Sequence, residues 1–298
     1  MATPQETGEL LAKVSTRTGT NFAALLAEVL RRAERELLPV LRQAIEGNRG
    51  ATVQAVQGLA LRADIRAALS RAGFDDLMET GSIAAVETMV RALGQRQDVP
   101  GVVSFIRPNP RRVAALAQVG SANLLGLGDT IATNLLLAVS LSALTIQDRA
   151  QILQDLAVTL DKNFNDVQTL FDTQVSIYGR QMEAMSAEAL GPDQVFLFAG
   201  PRDGRTRDWC LDRVGKVFTR QDIEQMDNGQ LPNPFITGGG YNCRHVWLPA
   251  VAPELVELVG TGERAPGFAV NMERIKQLRA NARRSDAARR ANNRSTTN

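Results

Sequence analysis

One apolar stripe, which predicts a single helix of roughly 40 residues, constrains the fold of this chain more than any other feature of its sequence. Its side chains recur at steps of three and four residues, which is the spacing of one face of a helix. Thr145 and Asp148 precede it at the spacing of a capping box. A helix of this length spans about 60 Å. It packs against several neighbours or against another chain, and an internal bundle helix is the simpler interpretation. The stripe consists of Ile152, Leu156, Leu160, Phe164, Val167, Phe171, Val175, Tyr178, Met182 and Met185.

The sequence before this stripe is helical in its periodicity too. Apolar residues from Phe22 to Leu41 predict a first helix, which Pro39 should bend or split. A second apolar face runs from Val53 to Leu69, and Gly73 supplies its C-terminal stop. A third helix is predicted from Ser82 to Gly94.

Periodicity is lost between residues 95 and 110, where three prolines predict an extended connection. Beyond it we expect a helical stretch at residues 111–119, a break at Gly126 and Gly128, and an apolar helix from Asp129 to Leu144. The most membrane-like segment, Leu135 to Leu144, is about ten residues long, against the ~20 that a bilayer span requires. The sequence therefore predicts a buried helix and no membrane partner.

The composition is that of an ordinary globular chain. With 298 residues, of which 44% are hydrophobic and 22% charged, it can bury one large core or two modest ones. Two cysteines argue against a secreted disulfide scaffold, and no N-terminal stretch joins a basic start to a long apolar run. These features predict a protein made in the cytoplasm.

After residue 191 the pattern changes to that of a small α+β module. Short strands are predicted at Val195 to Ala199, Lys216 to Phe218 and Arg244 to Leu248. Thr219 and Asp222 cap a short helix that ends at Met226, and Asn228-Gly229 forms a turn. The predicted fold class is mainly α, a long helical N-terminal region followed by a small α+β module and a basic tail. The predicted divisions are residues 1–94, a connection at 95–110, a long-helix region at 111–190, the module at 191–260, and a C-terminal helix and tail at 261–298.

The last 28 residues carry much of the positive charge. They hold eight basic and two acidic side chains, a net charge of +6, and since the whole chain is +2 the body carries 2 − 6 = −4. Asn271 to Arg284 continues as an amphipathic helix, and the residues after it are too polar to bury. The tail predicts non-specific contact with DNA phosphates, with a functionless solvated end as the alternative. The candidate contacts are Arg283, Arg284, Arg289, Arg290 and Arg294.

The segment from Gly200 to His245 concentrates the chemically distinctive residues of the chain. It contains both cysteines, Cys210 and Cys243, and the single histidine. Three consecutive glycines, 238–240, permit backbone conformations that other residues avoid. A tight return at these glycines is expected to bring Cys243 and His245 to face Cys210.

Three interpretations of this segment remain open. Thiolates and imidazole are zinc ligands, but a closed structural site needs four, and Asp208 or Asp212 is a doubtful fourth beside Cys210, Cys243 and His245. A Cys–His nucleophilic pair needs a lowered thiol pKa and a third, orienting group. We favour the third interpretation, a metal-free structural knot, meaning a compact set of mutually hydrogen-bonded side chains with buried cysteines and neither a cofactor nor a catalytic residue. Its members are Asp203, Arg205, Thr206, Cys210, Asn242, Cys243, Arg244 and His245.

This segment resembles the C-terminal signature of the Mu-F-like phage head-morphogenesis family. In that signature an Asp-x-Arg-Thr segment runs to a cysteine, followed by Gly-Lys-Val-Phe and later by Asn-Cys-Arg. The likeness covers about 50 of the 298 residues, with a looser likeness from Thr169 to Arg180. The matching positions are Asp203, Arg205, Thr206, Cys210, Gly215, Lys216, Val217, Phe218, Asn242, Cys243 and Arg244.

The chain departs from the four-ligand pattern of many family members, a Cys-x-x-Cys pair with a later His-Pro-Asn-Cys-Arg-Cys. Arg207 stands in place of the first cysteine, Gly240 in place of the histidine, and His245 in place of the last cysteine. Cys210, Cys243 and His245 remain as candidate metal ligands. The departures weigh against a closed zinc site and leave the fold of the module as expected.

The resemblance implies a structural role in the virion. Members act as minor capsid components at the portal vertex or in the capsid interior, in head assembly or DNA delivery, and are made in the bacterial host cytoplasm. The implied partners are the portal or major capsid protein and, through the tail, viral DNA, and oligomers are compatible with this role. The expectation is a protein that is not an enzyme. The alternatives are a DNA-binding packaging accessory or a nuclease- or transferase-like enzyme carried in the virion.

Overall fold

The computed structural model describes residues 3–47, 55–95, 102, 105, 108–144, 149–188, 191, 194–281 and 284. These residues form long helices followed by a small three-stranded module with short helices, which confirms the predicted mainly α class. The long helices are α1 (Pro4–Gly47), α2 (Ala55–Arg71), α3 (Phe74–Gly94), α4 (Pro110–Leu144) and α5 (Arg149–Glu188). The module contains β1 (Val195–Ala199), α6 (Asp208–Arg213), β2 (Val217–Thr219), α7 (Arg220–Gln225), α8 (Pro234–Thr237), β3 (Val246–Ala250) and α9 (Pro253–Val256).

Helix α5 is the helix that the apolar stripe predicts. It spans 40 residues, and the stripe from Leu156 to Met182 is buried. Burial of one continuous apolar face stabilises a helix of this length more than intrinsic propensity does. The proposed cap, Thr145 with Asp148, and the side chain of Ile152 lie outside the described residues.

Of the two effects predicted for Pro39, a bend or a split, the split is wrong, because α1 runs through this residue to Gly47. Proline removes one backbone hydrogen bond, but Leu37 and Leu41 on either side are buried, and their packing holds the helix together. The start at Ser82 is wrong as well. Helix α3 begins at Phe74, directly after Gly73, whose left-handed backbone (φ +93) separates it from α2.

The break expected at Gly126 and Gly128 is also wrong, since α4 continues through both glycines. A Cβ at position 128 would lie 2.9 Å from Nε of Arg66. Glycine at this position therefore makes room for a neighbouring side chain and does not end the helix. Residues three and four apart on α4 still bury an apolar face, which includes Leu124, Ile131 and Leu135.

Because α4 is uninterrupted, a longer part of it has to be compared with a membrane-spanning helix. Within the described part of the chain, Pro110 to Val139 is long and apolar enough to cross a membrane, judged by length and composition only, and 33% of its apolar stretch is buried. This stretch is longer than the Leu135 to Leu144 segment singled out in the sequence. Core helices of soluble proteins meet the same criterion, so the absence of a membrane partner stays a prediction.

The chain divides into two compact units, each assembled from separate stretches. One, the sheet unit, contains Met1–Val14, Arg91–Arg107 and Gly179–Asn298, and the other, the helical unit, contains Ser15–Val90 and Pro108–Tyr178. The ranges predicted from the sequence are consecutive, whereas α1 and α5 each contribute to both units. Of the predicted connection at 95–110, only residues 95, 102, 105 and 108–110 are described, and Val102 forms a β-bridge with Ala250.

Within the helical unit, close contacts join α5 to α1 and to α4. The rings of Phe22 and Phe171 stack with centroids 3.5 Å apart, and the hydroxyls of Ser15 and Ser176 lie 3.0 Å apart. A Cβ at Gly120 would collide with the hydroxyl of Tyr178, 1.6 Å away. Small residues at these points let the helices approach closely enough to bury the stripe.

The sheet unit is built around an antiparallel sheet in the order β2-β1-β3. Every residue of β1 and β3 is buried, so the sheet forms the centre of its unit. Strand β1 is found as predicted, β2 is shifted by one residue, and β3 begins at Val246 where Arg244 was expected. Thr219 caps α7 in a capping box with Asp222, as the sequence predicts.

The C-terminal helix is described at residues 272–281, and Ile275 on it is buried. Of the five candidate DNA contacts, Arg284 is described and exposed. The other four, Arg283, Arg289, Arg290 and Arg294, lie outside the described residues.

Candidate functional site

Cys210, Cys243 and His245, which we call the Cys–Cys–His cluster, lie together in the interior of the sheet unit. The two Sγ atoms are 3.8 Å apart, and Sγ of Cys243 is 3.9 Å from Nδ1 of His245. The three possible ligand atoms all lie within 4.8 Å of one another, and all three residues are buried. The structure therefore brings together the residues that the triple-glycine return was expected to juxtapose.

Glycine is required at this return by contact and by conformation. A Cβ at Gly239 would lie only 2.4 Å from Sγ of Cys210, so any side chain here would push the two loops apart. Gly238 and Gly240 have φ values of +58 and +88, in the left-handed region that glycine occupies without strain. Asn242 also has positive φ, at +55, and completes the turn before Cys243.

His245 is fixed by a contact on one face of its ring and by a hydrogen bond at one nitrogen. Its ring stacks on Phe198 with centroids 5.0 Å apart, and Nε2 lies 2.9 Å from the carbonyl oxygen of Pro201. Because a carbonyl only accepts, Nε2 carries the proton and donates it. In the neutral ring the lone pair of Nδ1 then faces the sulfurs, the orientation in which a histidine serves as a metal ligand or accepts a proton.

Arg180 of α5 also belongs to the site, although it lies outside the module and no motif in the sequence marks it as a member. Its side chain is 2% exposed, and its guanidinium donates to three carbonyl oxygens of the segment that forms the return. The bonds run from Nε to His245 (2.9 Å), from Nη2 to Cys243 (2.6 Å) and from Nη1 to Ile236 (3.0 Å). The buried guanidinium of Arg180 thus fixes the backbone at Cys243 and His245, two members of the cluster.

The cysteine sulfurs differ in their electrostatics. The hydrogen bond with Cys243, together with burial, raises the pKa of the Cys210 thiol. The same hydrogen bond lowers the pKa of Cys243 well below its ordinary value, with further help from the charge of Arg180 and from His245, although burial opposes the shift. Cys243 is therefore the sulfur that carries negative charge more readily.

A second group of the predicted knot residues forms around Asp203. Its carboxylate accepts two hydrogen bonds from Arg244, at 2.7 and 2.8 Å, in bidentate geometry. It also accepts from the Thr206 hydroxyl and from the backbone N–H of Arg205. This group joins the loop that precedes α6 to the segment that carries Cys243. The Arg205 side chain itself is exposed, so only its backbone takes part.

The Asp203 ion pair predicts a pH-dependent contribution to stability. Burial acts to raise the pKa of Asp203, but the hydrogen bonds and charge of Arg244, with Thr206 and Arg205, lower it to about 2 from an ordinary 3.8. A lowered pKa stabilises the fold above the unfolded-state value, and this contribution is lost as the pH falls from about 4 towards 2. Asp203→Asn is expected to cost about 1 kcal/mol near neutral pH, a figure discounted because the side chain is 41% exposed.

The measurement is urea unfolding of both proteins at about pH 6 and about pH 2.5, and the difference between them should shrink at the lower pH. Arg244→Gln provides the matched background. In that background Asp203→Asn should lose most of its pH-dependent effect, because the ion pair is already absent. A difference that stays the same at both pH values would contradict this origin.

A cleft of about 230 Å³ opens beside the Cys–Cys–His cluster. Besides the three cluster residues, it is lined by Arg205, Thr206, Arg207, Asn242 and Arg244. Arg207 donates to the side-chain oxygen of Gln230 (2.6 Å) and to the carbonyl of Gly239. Asp208 and Asp212, the doubtful fourth ligands, do not belong to the group of ligand atoms found in the described part of the chain, and Asp208 pairs with Arg279.

Comparison with known proteins adds no relative to this description. No family model, curated protein or solved structure matches the chain. The likeness to Mu-F-like head-morphogenesis proteins therefore rests on the matching residues of the module and on the looser likeness from Thr169 to Arg180.

Proposed function

We propose that this protein is a minor head protein of the Mu-F-like kind, a structural component of a phage virion. It is made in the bacterial host cytoplasm and joins the head through the portal or the major capsid protein. Its basic tail contacts packaged DNA without reading its sequence. In this role the module between residues 191 and 260 serves as a compact docking or assembly element and not as an enzyme.

The observation that carries the proposal is the convergence of the two halves of the motif. Asp203 pairs with Arg244, 41 residues away, and Cys210 contacts Cys243, 33 residues away. The residues that carry the likeness are thus used to close one loop on another. Their first role is to hold a shape, which is what an architectural module requires.

The long helices offer surfaces suited to docking. Each of four helices carries a large apolar side chain that is more than half exposed, and such side chains gain free energy when a partner covers them. These are Leu25 (52%), Leu59 (67%), Val119 (59%), Leu137 (55%) and Val158 (64%). They supply apolar contact area for the portal or the capsid shell.

The experiment is to purify procapsids and mature heads from a phage-producing culture and to probe them for the full-length protein. We expect it in both fractions, in few copies relative to the major capsid protein. Its absence from both would contradict the structural role.

A pair of glycine variants tests whether the module is needed for incorporation. Gly239→Val places a side chain against Cys210 and should reduce incorporation into heads strongly. Gly94→Val is the matched control, since no atom lies within 4 Å of a Cβ at that position, and it should incorporate normally. If both variants are incorporated equally, the module is not needed for incorporation into heads, which contradicts its role in assembly.

A further inference from the structure

We propose that Cys210, Cys243 and His245 hold a zinc ion as an open three-ligand centre, and that its fourth position binds a small oxyanion from the arginine-lined cleft. The sequence alone favours a metal-free knot, but in the structure the three possible ligand atoms lie close enough together to bind one metal ion. This inference does not depend on the role of the protein in a phage head.

The distances within the cluster fit a tetrahedral zinc centre. Two Zn–S bonds of about 2.3 Å at a tetrahedral angle place their sulfurs about 3.8 Å apart, and one Zn–S with one Zn–N bond gives about 3.6 Å. The structure has 3.8 Å between the sulfurs and 3.9 Å from Cys243 to His245. The remaining pair lies within 4.8 Å, so a small rotation of side chains completes the centre.

The surroundings hold the ligands as the partners of metal ligands usually do. The donation from Nε2 of His245 to Pro201 fixes the ring and leaves Nδ1 towards the sulfurs. Arg180 binds the backbone carbonyls of Cys243 and His245, so the two ligands on that segment are held in place together. Two thiolates and one imidazole form a donor set that suits zinc.

The fourth position is open in this chain. In the described residues, no fourth Cys, His, Asp or Glu joins the three ligand atoms. A closed site often takes its extra thiolate from a Cys-x2-Cys pair, and the position three residues before Cys210 is occupied by Arg207. The cleft of about 230 Å³ borders all three ligands and has room for an outside ligand.

Charge determines which class of ligand this cleft takes. Zinc with two thiolates and a neutral imidazole has no net charge. Arg207 donates to an amide oxygen and a carbonyl, both neutral, and no described carboxylate pairs with Arg205 or Arg207. Within the described part of the chain, the positive charge of these two arginines on the wall of the cleft therefore has no carboxylate partner. An oxyanion that displaces water from the zinc can be held by both the metal and the guanidinium groups.

The test begins with the full-length protein purified without metal-affinity chromatography. We expect one equivalent of bound zinc, or its uptake when the metal-free protein is titrated with Zn²⁺. Cys210→Ser should lose it, whereas Asp203→Asn, which breaks the neighbouring ion pair, should retain it. Circular dichroism establishes that each variant is folded, and Cys243→Ser replaces Cys210→Ser if the latter is not. A folded protein that takes up no zinc overturns the proposal.

The open position is tested on the cobalt-substituted protein, whose visible spectrum reports the ligands of the metal. Titration with inorganic phosphate should shift the cobalt bands in a saturable manner. Arg207→Gln should weaken phosphate binding by about tenfold or more, because a charged hydrogen bond is lost, without loss of metal. Arg207→Cys should supply the fourth thiolate and abolish the response. Bound metal with a spectrum that phosphate does not change would overturn the open site.

Discussion

Arg180→Ala is expected to lower the free energy of unfolding by about 3–5 kcal/mol. The side chain is almost fully buried, and its guanidinium donates to the carbonyls of Ile236, Cys243 and His245. Removing it leaves buried acceptors without partners, at about 1–3 kcal/mol each, and opens a cavity at the base of the return. Urea unfolding followed by circular dichroism measures the loss.

Two controls separate this effect from a simple change of charge. Arg180→Lys keeps the charge but cannot reach three carbonyls from one ammonium, so it should recover less than half of the loss. Arg111→Ala removes an exposed arginine of α4 and should change stability by no more than about 0.5 kcal/mol. A loss of under about 1 kcal/mol for Arg180→Ala would show that the return is held by other contacts.

The predictable parts of the fold are those that local spacing determines. Helix α5 follows from its stripe, and α7 follows from the Thr219–Asp222 capping box. The wrong predictions concern residues whose structural role depends on a residue that is distant in the sequence but close in space. Gly128 looks like a helix break in the sequence, but it is a point of close approach for Arg66, and that contact exists only in three dimensions.

The candidate site also has members that the sequence predicts and one that it does not. The meeting of Cys210 with Cys243 and His245 follows from three glycines and the crowding of chemical groups in one segment. Arg180 lies two residues from Met182, a member of the apolar stripe, and therefore about 200° around the helix from it. Periodicity places such a residue on the solvent face. Its burial comes from the packing of the module segment, which no local pattern encodes.

Replacing the five tail arginines 283, 284, 289, 290 and 294 with glutamine is expected to weaken binding to duplex DNA most strongly at low salt. Each phosphate contact contributes about 0.9 to the slope of log K against log salt, so loss of five reduces the slope by about 4.5. Between about 50 and about 200 mM salt, the affinity of the unmodified protein should fall roughly 500-fold more than that of the variant. Fluorescence anisotropy at several salt concentrations measures both slopes.

The matched control removes the same charge from the body of the protein. Changing Arg17, Arg31, Arg35, Arg91 and Arg111, all exposed, to glutamine gives the same net charge of 2 − 5 = −3. If only total charge matters, both variants weaken DNA binding equally and the tail has no special role. If the tail is a DNA-contacting arm, the control keeps most of the salt slope. Heads assembled with the tail variant should still contain the protein, because docking is assigned to the helices and the module, and DNA contact to the arm alone.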